Sequence, residues 1–234
     1  MSVLQPARAI LDPVDGISSA VEAGSWAWPL AFLALSMSFS AAAFALRWNA
    51  APAVVQQLEV TGELPNTTEQ DLAGQIVTAQ RVRLVAGVTQ GVIAAPLLIV
   101  FAGLSLKLAA WFFDAPAPFA RCISAAAVAM LPIALFHLIF GVSMLRQPAL
   151  AESQLAQLVP SSLLGFAPRA SVGAQRLLAS IDFFKLWTAG LLGLGFAAAS
   201  GISRWRALLL GFALYAMCVG VFAIGIPGMR GGAA

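Results

Sequence analysis

His137 is the only histidine of this 234-residue chain, and it falls inside a long apolar stretch, where an imidazole can relay a proton or ligate an ion. Either task needs a second group within reach: a carboxylate to exchange the proton, or another donor to complete a coordination sphere. The apolar stretches contain no Asp or Glu. A neutral ring hydrogen-bonded to a neighbouring helix is therefore the favoured reading of His137. Asp182, in Ile181-Asp182-Phe183-Phe184-Lys185-Leu186-Trp187, stands just ahead of another apolar stretch. A carboxylate there complements the positive end of a helix dipole and caps free N–H groups. An ion pair with an arginine of a neighbouring loop, or a contact with a partner, is the alternative. Cys122 and Cys218 form no CxxC or Cys/His pattern, so neither a disulfide framework nor a zinc site is indicated. HExxH, GxSxG and phosphate-loop motifs are missing, and no serine stands three or four residues from His137. These residues predict no catalytic group, no cofactor and no metal.

The elements that must position these residues are five stretches without Asp, Glu, Lys or Arg: Trp28–Leu46, Leu84–Leu106, Cys122–Leu145, Leu186–Ser203 and Ala207–Met229. Each approaches or exceeds the roughly 20 residues that a helix needs to cross about 30 Å of hydrocarbon. The chain therefore reads as an all-α polytopic membrane protein, one five-span domain over residues 1–234. Its spans are placed at about 27–46, 84–110, 122–145, 184–203 and 206–228. Hydrophobic residues make up 60% of the chain and charged residues 10%, against about 25% charged in soluble domains. The net charge of +3 is dispersed, with no basic run. Nucleic acid is thus an unexpected partner and the lipid bilayer an obligatory one. The first 22 residues carry Arg8, Asp12, Asp15 and Glu22, which do not suit a cleavable signal peptide.

The connecting segments are patterned as well. Leu11, Val14, Ile17 and Val21 recur at helical spacing behind Asp12-Pro13, predicting a short amphipathic helix capped by Asp12, with Trp26 and Trp28 at the interface. Two longer loops are expected, Asn49–Arg83 and Arg146–Lys185. In the first, Thr67 or Thr68 can cap a helix that runs straight into the second span. In the second, short amphipathic pieces are expected around Leu155–Leu158 and Leu177–Leu178. Gly87 and Gly91 form a small-xxx-small pair in the second span, and Gly190, Gly193, Gly195 and Gly201 mark the fourth as a closely packed interior helix. Pro96 should kink the second span, and the third holds Pro132 together with His137.

Five spans place the termini on opposite sides. Arg47, Arg81, Arg83, Arg146, Arg169, Arg176, Lys185 and Arg230 then share one side, against Arg8, Lys107, Arg121, Arg204 and Arg206 on the other. That asymmetry favours an external N-terminus.

The chain resembles the Yip family of Ypt/Rab-interacting membrane proteins, whose shared domain has five spans. The resemblance rests on Leu11-Asp12-Pro13, Ala94-Ala95-Pro96, Leu131-Pro132, the segment Leu177 to Trp187, Leu191-Leu192-Gly193-Leu194-Gly195 and Gly201-Ile202-Ser203-Arg204. It implies a non-enzymatic integral membrane protein. It also implies a cytoplasmic N-terminus, opposite to the arginine count, so orientation stays open. The short N-terminal tail departs from the eukaryotic members and points to the prokaryotic type, some of which accompany an ABC exporter, and to a plasma (inner) membrane. The expected role is a scaffold or accessory subunit that binds another membrane protein or itself through helix faces, with His137, Asp182, Trp187, Pro96, Pro132, Gly87, Gly91, Gly193 and Gly195 as functional or packing positions. The alternative is a small transporter, channel or lipid-handling protein with a cavity near Pro96, Pro132 and His137.

Overall fold

The computed structural model describes residues 4–150, 155–166 and 171–221, and every regular element among them is helical. Eleven α-helices are described: α1 (Leu4–Leu11), α2 (Pro13–Glu22), α3 (Ala27–Arg47), α4 (Ala51–Thr61), α5 (Glu69–Phe112), α6 (Phe119–Ala129), α7 (Leu131–Leu145), α8 (Leu155–Leu158), α9 (Val172–Ser180), α10 (Phe183–Ser200) and α11 (Arg204–Val219). Among the described residues, four helical stretches are long and apolar enough to cross a membrane: α3, α5, α6 with α7, and α10. The protein is an all-α integral membrane protein. The fifth expected span begins as α11, and its expected end lies outside the described residues.

The helix starts follow from local chemistry. Asp12 accepts a bond from the Asp15 N–H at 3.4 Å, with Pro13 opening α2. Thr68 is the cap that starts α5: its hydroxyl accepts from the Asp71 N–H at 3.2 Å and donates to the Asp71 carboxylate at 2.6 Å. The helix then continues unbroken for 44 residues with Pro96 inside it, a rise of about 66 Å. This is more than twice the hydrocarbon thickness.

Two features depart from expectation. The first is α4, within a stretch read as loop. Val54 and Leu58 bury one face of it, Pro52 sits in its first turn, and Gly62 ends it in the left-handed conformation at φ 72°. The second is the division of the third span at Met130. Pro132 sits in the first turn of α7, where its missing N–H has no intrahelical partner to lose.

The chain divides into two compact units. The first comprises Met1–Leu33, Ala95–Phe136 and Pro160–Ala234. In it α10 packs on α2, α6 and α11. Ile17, Val21, Val128, Leu191 and Phe196 are fully or almost fully buried there. Close approach depends on residues without bulk. A Cβ at Gly193 would lie 2.6 Å from the Ala207 carbonyl oxygen, and one at Gly195 would lie 2.9 Å from the Ala125 Cβ. Gly211 faces Ala189 and Gly193 in the same way.

The second unit comprises Ala34–Ala94 and His137–Val159. Its core joins Ala43 and Phe44 of α3 to Met144 of α7 and Leu150, with Trp48, Phe140 and Leu155 packed around them. The chain after α7 is tied to the end of α3 by two backbone bonds, Leu150 N–H to the Arg47 carbonyl (2.8 Å) and Asn49 N–H to the Leu150 carbonyl (3.1 Å).

Candidate functional site

In the second unit, hydropathy changes abruptly at Arg83: charged and amide residues precede it on α5, and apolar sequence follows from Leu84. The end of α3 changes at Arg47 and Trp48. The fold brings these two boundaries together. The Arg83 guanidinium lies 5.0 Å from the centroids of both the Phe44 and Trp48 rings, and the Gln80 side-chain amide donates to the Trp48 carbonyl at 3.1 Å. Arg47 ends α3, and Arg146 follows the last residue of α7. Cations and an indole at such a boundary match the water–hydrocarbon interface.

A broad groove of about 1100 Å³ leads away from this cluster between α4 and the first turns of α5. Trp48, Arg83, Val82 and Ala86 line it, followed outward by Thr78, Gln75, Gln57, Gln70, Asp71 and Asn66. Pro96, Pro132 and His137, around which a cavity was expected, are not in its walls. Amides and hydroxyls share the lining with apolar side chains, with one cation at the apolar end and one carboxylate at the far end. Such a lining offers hydrogen bonds in both directions. It contains no paired acid and base for proton transfer.

His137 is near the start of the second unit's share of α7. Its Nδ1 lies 3.0 Å from the Ser40 hydroxyl of α3, and that hydroxyl donates to the Met37 carbonyl at 2.9 Å. Spacing along the chain gives no hint of this partner, which lies 97 residues away. Gly141, one turn further on α7, admits α3 closely: a Cβ there would lie 2.7 Å from Phe39 Cδ1. A Cβ at Gly91 would lie 2.6 Å from the Ser38 backbone nitrogen, and one at Gly87 would lie 2.9 Å from the Ala41 Cβ. The small-xxx-small pair is thus used inside this unit, where the Ser38 hydroxyl donates to the Val88 carbonyl at 3.1 Å.

Asp182, in the first unit, is 5% exposed and caps α10. One carboxylate oxygen accepts from the N–H groups of Phe184 (2.9 Å) and Lys185 (3.2 Å), and the other accepts from the Ser161 hydroxyl. Backbone bonds between residues 161–163 and 181–183 hold the two segments together. The Tyr215 hydroxyl of α11 donates to the Ser180 carbonyl beside them. Trp187 stacks obliquely on Phe183 at 5.5 Å, and Phe184 meets Phe136 at 5.6 Å. Among the described residues, no three His, Cys, Asp or Glu side chains gather as a metal site would require.

The Yip1 domain family model matches residues 7–225, nearly the whole chain. The chain belongs to the Yip1 domain family. That membership agrees with the resemblance read from the Leu177–Trp187 segment and its companions, and Yip1 proteins are a non-enzymatic membrane family. No curated protein and no solved structure matches the chain significantly. Within this Yip1 domain, the segments that carried the resemblance serve packing and capping: Leu131-Pro132 begins α7, Asp182 caps α10, and Gly201, at φ 74°, ends it.

Proposed function

We propose that this Yip1 domain protein is a non-enzymatic scaffold or accessory subunit of a prokaryotic plasma membrane that engages another membrane protein, such as an ABC exporter, or a second copy of itself. The supporting observation is the reach of α5. Its first 15 residues, Glu69–Arg83, precede the apolar span and extend the helix by about 22 Å. Most of their surface is exposed. Ala73, Val77 and Arg81 form an exposed row outside the walls of the groove, and Val77 is 46% exposed. A helix this long outside the hydrocarbon gains little from its own fold, because isolated helices are marginal in water. A partner laid along it supplies the missing contacts.

Gly87, Gly91, Gly193 and Gly195 meet neighbours within their own units, which supports a partner face elsewhere. The partner face is therefore assigned to the outer part of α5. A photo-crosslinking residue at Val77, in cells, is expected to give discrete protein adducts, whereas one at the lipid-facing Leu97 gives none. Equal, lipid-only labelling at both positions would remove this reading.

A further inference from the structure

We propose that the groove between α4 and α5 is a binding site for an anionic phospholipid with a hydroxylated headgroup, its phosphodiester held at Arg83. The inference concerns a different face of α5 from the partner row and stands independently of the scaffold role. Three observations carry it. The first is depth: Arg83 is the last charged residue before the apolar sequence begins, so its guanidinium lies at the level of lipid phosphates. The second is posture. The Phe44 and Trp48 rings at 5.0 Å hold the planar fork of Arg83 at the groove wall, the pre-organised geometry that suits a phosphodiester.

The third is the lining beyond the cation. A phosphate alone would need no more than Arg83. The groove continues outward past Thr78, Gln75, Gln57, Gln70 and Asp71, side chains that accept from and donate to hydroxyl groups. A choline headgroup, which has no hydroxyl to donate and carries a fixed cation, satisfies few of them. Glycerol, inositol or a sugar offers hydroxyls to the nearest of them, Thr78 and Gln75. The acyl chains would leave past Val82 and Ala86 toward the hydrocarbon.

The test uses the full-length protein, purified in detergent and freed of lipid. It is titrated by native mass spectrometry with short-chain phosphatidylglycerol, phosphatidic acid and phosphatidylcholine, and with glycerol phosphate. Phosphatidylglycerol is expected to bind tightest, by about fivefold or more over phosphatidylcholine. Arg83→Gln should erase that margin, and Arg204→Gln, in the other unit, should keep it. The paired exposed changes Gln75→Leu and Thr78→Val should leave phosphate binding intact while abolishing the preference over phosphatidic acid; they serve also if Arg83→Gln does not fold. Equal binding of phosphatidylglycerol and phosphatidylcholine overturns the proposal. So does an undiminished margin in Arg83→Gln, or glycerol phosphate binding as tightly as the lipid, which would mark a site for a soluble phosphate.

Discussion

The Ser161 hydroxyl donates to the carboxylate of Asp182 across 21 residues, while the same carboxylate caps the first turn of α10. One side chain thereby fixes a loop and starts a membrane span.

Removing that carboxylate leaves two N–H groups and a hydroxyl without partners at a nearly buried position. Asp182→Ala is expected to cost about 1–2 kcal/mol from the lost cap, with an added loss from the abandoned hydroxyl. Asp182→Asn, still a good cap, should cost less. Thermal unfolding in detergent checks the order. Equal melting of all three proteins would contradict it.

Glycines of one helix should respond oppositely to added bulk. Nothing lies within 4 Å of a Cβ placed at Gly190, whereas one at Gly193 meets the Ala207 carbonyl oxygen at 2.6 Å. Gly190→Ala should therefore be neutral or slightly stabilising, and Gly193→Val should lower yield and melting temperature sharply. Fluorescence-detected size exclusion of the two variants reads the contrast directly.

The Ser40–His137 contact predicts coupling. Ser40→Ala and His137→Ala should each destabilise, and the double variant should lose less than their sum by about 0.5–1.5 kcal/mol. Additive losses measured in a steric-trap or denaturant series would show that the two groups do not support each other.

Thr68 starts the longest helix. Thr68→Ala should cost about 1 kcal/mol, expressed locally as faster amide exchange of residues 70–72 with little change within the apolar span. Hydrogen exchange read by mass spectrometry resolves the two regions. Uniform exchange along α5 would speak against a local cap.

Much of this is legible because lipid imposes a coarse code. Charge-free runs such as Leu84–Leu106 announce themselves by length, and the α5 start narrows to Thr67 or Thr68 because a hydroxyl followed by acids has one common use. The helix α4 escapes such reading because Val54 and Leu58 are its only buried apolar pair, and two residues do not establish a period. The Ser40 partner of His137 is invisible because tertiary contacts carry no signature in local spacing. The roles of Gly87 and Gly91 are half legible: their spacing announces close helix approach without saying whose helix arrives. The groove depends on α4, so its lining cannot be foreseen while that helix is taken for a loop.

The meeting of Gly193 with Ala207, and of Gly211 with Ala189, joins helices separated only by residues 201–203. Contacts so near in sequence close quickly. This pair can therefore zip together as it leaves the insertion machinery and present a finished hairpin against which the earlier helices settle.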